Sequence, residues 1–116
     1  MKPDAMDLVF AALASRERRQ MLDLVLAHPG CGVNQVAAHF DMSRVGVLKH
    51  LRLLEEAGLL LSEKLGRVRH LYFNSVPLQL IHERWSDRYG ELFAGRMTAV
   101  KERVESRADR RKQNRA

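Results

Sequence analysis

The chain has 116 residues, 46% of them hydrophobic, with three prolines, seven glycines and one cysteine; this suits a single ordered domain with a modest core and excludes a disulfide-stapled or low-complexity protein. Its formal net charge is +6, but residues 106–116 (SRADRRKQNRA) hold five basic residues and one acidic residue, so +4 of that total sits there and +2 on everything before. A pI of about 10.1 therefore does not by itself identify a nucleic-acid binder, because a solvated basic tail gives the same value.

Residues 4–13 read as an amphipathic helix with Leu8, Val9, Ala12 and Leu13 on its apolar side. The apolar run at 8–14 is far too short to cross a bilayer and follows acidic residues, so a cytoplasmic protein that engages no membrane is expected. Ser15 is placed to cap a second helix, with Glu17 in its first turn and Met21, Leu22, Leu24, Val25 and Leu26 as core candidates. His28-Pro29-Gly30 ends it, because proline disfavours helix at the residue before it. After a break at 30–32, residues 33–40 (VNQVAAHF) form a short helix facing inward with Val36, Ala37 and Phe40, and Asp41-Met42 is a tight connection.

Residues 43–57 carry the strongest local signals. Ser43 is an N-cap; Val47, Leu51 and Leu54 recur at helical spacing, and Val45, Gly46, Lys49 and Arg52 lie on the other side. Gly58 stands where a helix-ending glycine belongs, since glycine takes the left-handed conformation without steric cost. Two short apolar-rich runs, 59–65 and 69–74, then flank Gly66-Arg67-Val68 and predict a hairpin with bases at its tip. Helix, connection and helix make a helix-turn-helix, whose second member can present its early residues to a DNA groove with the hairpin beside it.

Pro77 suits the first turn of a final helix. Apolar positions Leu78, Ile81, Trp85, Tyr89, Leu92, Phe93, Met97, Val100 and Val104 follow every three or four residues. One helix to residue 106 would be about 45 Å long at about 1.5 Å per residue, more than a small domain can cover. The overhanging stripe needs a partner, and the same helix of a second copy supplies one.

These segments together resemble the ArsR family of bacterial winged-helix transcription regulators. LASRERR at 13–19 is like the family's LA-(D/S)-x-x-R-R start, and residues 33–40 and 42–51 are like its helix-turn-helix. LEEAGL at 54–59 matches its LxxAGL signature. The likeness covers about residues 5–75, and the remainder fits the family's terminal dimerisation helix. It implies a mainly α winged helix-turn-helix with a small β-hairpin and terminal helices that form a dimer interface. It also implies a homodimer that binds imperfect palindromes in promoter DNA, usually as a repressor, and a small-molecule effector that weakens binding. On this basis residues 1–106 are expected to form one DNA-binding and dimerisation domain, and residues 107–116 a disordered basic tail. Two departures stand out. The family's metal sensors carry paired cysteines in the first helix of the motif, where this chain has VNQVAA at 33–38. Leu48 replaces a frequent serine, giving the GVLKHL core of a branch that is generally not metal-responsive.

The residues expected to meet DNA are Ser43, Arg44, Val45, Gly46, Lys49 and Arg52 of the helix with Arg67 and Arg69 of the hairpin, because guanidinium and ammonium groups pair with phosphates or guanine edges. Gly46 serves either a close approach to DNA or tight helix packing, since an interior glycine costs about 1 kcal/mol against alanine. Leu48 suits the core edge better than a thymine methyl, and His50 suits a structural hydrogen bond. Leu8, Ile81, Trp85, Tyr89, Leu92, Phe93 and Met97 are assigned to dimerisation; the three aromatics could instead line an effector pocket. The basic tail either adds diffuse attraction to DNA or does nothing.

No metal site and no cofactor are expected. Cys31 alone could act only as a thiol sensor or in a site shared across a dimer, and His82, Glu83 and Asp87 lack the ligand spacing of zinc-responsive relatives. The sequence holds no phosphate loop and no nucleophile with a base at a known spacing, which argues against an enzyme. The leading reading is a DNA-binding repressor. The alternatives are a metal- or thiol-responsive repressor using Cys31, or a winged-helix protein-interaction module that would not need Arg44, Lys49 and Arg67 to converge.

Overall fold

Helix α1 spans Ala5–Leu13 and α2 spans Arg16–Ala27. The strand β1 (Cys31–Gly32) leads directly into α3 (Val33–Ala37), and α4 (Arg44–Glu56) follows. Strands β2 (Leu60–Leu65) and β3 (Val68–Phe73) form the wing, and α5 (Val76–Ser86) and α6 (Gly90–Asn114) complete the chain. This computed structural model describes residues 4–86 and 90–114, and side chains within that range except those of residues 90–93 and 114. The chain divides into two units, one ending at Ile81 and the other beginning at His82.

The caps that the sequence announced are formed. Ser15 Oγ accepts from the Arg18 backbone N–H at 3.3 Å, and Ser43 Oγ from the Gly46 N–H at 3.1 Å. At the far end of α4, Gly58 takes φ +77 and its N–H donates to the Glu55 carbonyl at 2.9 Å, while the Leu59 N–H donates to the Leu54 carbonyl at 3.0 Å. That pair of bonds is a Schellman motif, and its accompanying apolar contact is between two core residues, Leu54 and Leu59. The hairpin turn, Gly66-Arg67, has positive φ only at Gly66, the pattern of a type II′ turn that suits twisted strands.

One core serves the first unit. Met21 and Val25 of α2, Val36 of α3, Val47 and Leu54 of α4, and Leu59, Leu60 and Leu71 of the wing and its approach are fully buried together. Val9 and Ala12 close it from α1, and Leu8, Leu48 and Ile81 pack against it half-buried. Asn74 fastens the wing's exit: its Nδ2 donates to the Gly58 carbonyl at 2.8 Å, its backbone N–H to the Leu59 carbonyl at 2.9 Å, and its Oδ1 accepts from the Val76 N–H at 3.2 Å.

Four features differ from expectation. The hairpin is part of a three-stranded antiparallel sheet ordered β1-β3-β2, with Cys31 opposite Leu71. Residues read as a simple break pair with the wing, because Gly30 at φ +83 turns the chain so that its N–H donates to the Leu71 carbonyl at 2.8 Å. Helix α3 stops at Ala37 instead of continuing to Phe40. Leu26, expected in the core, is 60% exposed because it lies on the outer side of α2. Residues 87–89 between α5 and α6 lie outside the described residues, and α6 runs through residues 107–114, which were expected to form a disordered tail.

Candidate nucleic-acid interface

Helical periodicity divides the exposed part of α4 into two neighbouring lines. Arg44, Leu48, Arg52 and Glu55 look toward the wing, while Val45, Lys49 and Glu56 look outward. Val45 is 62% exposed and Lys49 and Arg52 are exposed, so the side opposite the buried Val47, Leu51 and Leu54 is open to a partner. Leu48 rests on the core edge. Gly46 has a use in the free protein: a Cβ there would come within 3.3 Å of Ser43 Oγ and 3.8 Å of Met42 Sδ, crowding the hydroxyl that caps the helix.

Strand register does the same for the wing. Lys64 stands opposite Arg69, and the two share the sheet face that looks toward α4. Between α3–α4 and the wing lies an open groove of about 710 Å³, whose lining includes Arg44, Arg52, Lys64, Arg67 and Arg69 with Glu55 as its carboxylate. Glu55 lies 3.8 Å from Arg69 in a partly exposed ion pair, an interaction that orients the wing base more than it stabilises the fold. Arg44 donates from Nη1 to Asn34 Oδ1 and is thereby steered by α3. A trough edged by five bases and bounded by a helix and a hairpin is shaped for a polyanion.

The groove thus gathers Arg44, Arg52, Arg67 and Arg69, while Ser43, Val45, Gly46 and Lys49 sit at the start of α4 or on its outward line. Sequence reasoning missed two contributors. Lys64 was legible from strand alternation, which puts it on Arg69's face. Asn34 was not, because nothing local ties it to a guanidinium ten residues later.

Of the residues assigned to dimerisation, Leu8 and Ile81 lie half-buried against the core of the first unit. Trp85 and Met97 are 62% and 59% exposed, the former with Arg84 5.5 Å above its ring. Leu92 and Phe93 fall on the α6 backbone, but their side chains, like Tyr89 and Asp87 altogether, lie outside the described residues. Cys31 is buried, and burial pushes its thiol above the ordinary range. It borders a cavity of about 300 Å³ together with His28 and His39. Among the described residues, no group of three or more His, Cys, Asp or Glu side chains is placed to hold a metal ion.

The comparisons with known proteins agree with this geometry. An HTH-type transcriptional regulator of Bacillus subtilis, YuzN, is 33% identical over 85 residues, covering 68% of this chain and 92% of its own length. A crystal structure of an ArsR family transcriptional regulator superposes with a TM-score of 0.66 at 31% identity, covering 81% of this chain and 95% of that one. The chain belongs to the ArsR family of transcriptional regulators. Another relative, the transcriptional repressor SdpR of Bacillus subtilis, is 30% identical over 74 residues, 64% of this chain and 81% of SdpR. No family model matches. As in other ArsR proteins the architecture is a mainly helical winged helix-turn-helix with a small antiparallel sheet, and the family is not enzymatic. Among the described residues, no helix is long and apolar enough to cross a membrane.

Proposed function

We propose that this ArsR protein is a homodimeric repressor that binds an imperfect palindrome in promoter DNA in the bacterial cytoplasm, on the nucleoid. The observation that carries the reading is the convergence of Arg44, Arg52, Lys64, Arg67 and Arg69 on one groove between α4 and the wing. In this reading Arg44 and Val45, with Ser43 and Gly46 at the helix start, address base edges in the major groove. Lys49 and Arg52 hold phosphates, and Arg67 and Arg69 follow the backbone beside the wing. The dimer uses Leu8, Ile81, Trp85, Tyr89, Leu92, Phe93 and Met97, and a small-molecule effector acts on it. A repressor that pairs half-sites needs two such grooves, which the second copy supplies.

Selection of bound duplexes from a random pool tests this directly. Enrichment of two inverted half-sites about 10 base pairs apart, or a multiple of that, is expected. A pool that stays random at low salt would refute DNA reading, and enrichment of one isolated half-site by a monomer would refute the dimer.

A further inference from the structure

The first unit holds a hollow apart from the DNA-facing groove, the cavity of about 300 Å³ that Cys31 borders. Its apolar walls come from Leu24 of α2, Cys31 of β1, Val36 of α3 and Ala38 just beyond that helix. Cys31 and Val36 are buried, and burial pushes the Cys31 thiol up, so the floor carries no charge near neutral pH. The polar lining is Gln35 with the imidazoles of His28 and His39. His39 Nδ1 lies 2.9 Å from the Gln35 carbonyl, which only accepts, so Nδ1 carries the proton and Nε2 of the neutral ring is left as an acceptor. Among the described residues no Lys, Arg, Asp or Glu lines this cavity, and the adjoining hollow, which shares Leu24 and His39, brings the Asp23 carboxylate. Such a setting opposes an anionic ligand and suits an uncharged one.

We infer that this cavity is the effector site, and that it takes a small uncharged aromatic molecule whose phenolic hydroxyl donates to His39 Nε2. The inference rests on the DNA-binding reading above and names where its effector acts. The volume stands at the lower end of the roughly 300–1,000 Å³ of small-molecule sites, and apolar walls with a few placed polar groups are what such sites use. Gln35 gives the cavity its reach. It lines both this cavity and the DNA-facing groove. Its Oε1 accepts from the Gly32 N–H at 2.7 Å, and its chain neighbour Asn34 holds Arg44. Gly32 and Cys31 in turn pair with His70 and Leu71 of the wing. A ligand that displaces Gln35 therefore disturbs the start of α3, the hold on Arg44 and the strand beside the wing together.

The test titrates the full chain with naphthol, and with naphthalene and naphthoate as controls, by calorimetry and by backbone amide resonances. Naphthol should saturate a single site per chain, shift the amides of Cys31, Val36 and His39, and lower affinity for the selected duplex by about 5- to 150-fold, the usual range of coupling between sites. Both controls should bind more weakly, naphthalene by about 3- to 10-fold, the worth of one net hydrogen bond. Ala38→Phe, at an exposed position just past α3, should fill the cavity and abolish saturation. His39→Asn keeps a donor for the Gln35 carbonyl but lacks Nε2, and should weaken naphthol by about 3- to 10-fold while leaving naphthalene unchanged. Circular dichroism of both variants checks that the fold persists. Naphthol that fails to saturate at millimolar concentration, that binds Ala38→Phe as it binds the wild type, or that binds no better than naphthalene would overturn the inference. Amide shifts confined to α5 and α6 would overturn it too. Saturation with no loss of duplex affinity, in a wild type that selects a site, would overturn the effector role and leave the DNA-binding reading standing. A wild type that selects no sequence would instead sink the reading beneath it, and with it the effector role.

Discussion

Arg18 Nη1 on α2 lies 3.1 Å from His50 Nδ1 on α4. Because a guanidinium only donates, Nδ1 is the acceptor and the imidazole in this geometry carries its proton on Nε2. The same guanidinium donates from Nε to the Ala12 carbonyl at 2.8 Å and from Nη2 to the Ala11 carbonyl at 3.1 Å, both in the last turn of α1, where Ala11 also accepts from the Ala14 N–H at 3.3 Å. One side chain therefore joins α1, α2 and α4. Arg19 adds to it by donating to the Leu13 carbonyl.

Replacing Arg18 with alanine frees those acceptors and should destabilise the protein by about 1–3 kcal/mol. Urea denaturation measures this. A change within about 0.5 kcal/mol would mean that water replaces the guanidinium without loss.

Asn34→Ala removes the acceptor that steers Arg44 without altering any charge. It should lower discrimination against mismatched half-sites while the salt slope holds. Arg44→Ala should relax base preference further, by about 1–3 kcal/mol at the base it addresses, and Lys49→Ala should weaken all sequences alike and lower the slope by about one unit. Competition binding with mismatched duplexes separates the three; an Asn34→Ala profile identical to wild type would remove α3 from the recognition mechanism.

Zinc, cadmium and arsenite should not release DNA, since the paired cysteines are absent and ligation needs several donors together. Burial raises the Cys31 pKa, so little thiolate forms near neutral pH and alkylation by iodoacetamide should run well below the rate of free cysteine, rising as pH increases. Stoichiometric metal binding with loss of operator affinity, absent in Cys31→Ser, would contradict this.

Trp85 is 62% exposed on a single chain, which is unfavourable for so large a side chain unless a partner covers it. If the proposed homodimer uses this stripe, Trp85→Glu, and separately Leu92→Glu, should yield monomer and cost a large part of operator affinity, because two half-sites are no longer held by one molecule. Sedimentation at micromolar concentration is the measurement, and an unchanged mass for both variants would place the interface elsewhere.

Short-range signals carried most of what the sequence revealed. Ser15 and Ser43 bond N–H groups three residues away, and Gly58 closes a turn with Glu55, so caps and helix ends are written within a few positions. The interior stripe of α4 was legible for the same reason. Pairings across the fold were not. Two residues of β1 have no period to detect, and their partner Leu71 lies 40 positions along the chain. Arg18 was visible as part of a family-like motif, but its reach to His50 depends on how α2 and α4 pack. The order in residues 107–114 escaped because composition alone does not distinguish a basic tail from a basic helix.

Asn74 holds three joints at once: the glycine that ends α4, the residue that leads into β2, and the first turn of α5. A planar amide bonded on both edges has no free rotation left to absorb a displacement. A displacement of the first turn of α5 is therefore shared with the C-terminal end of α4 and the entry to β2, three joints that shift together because one amide ties them.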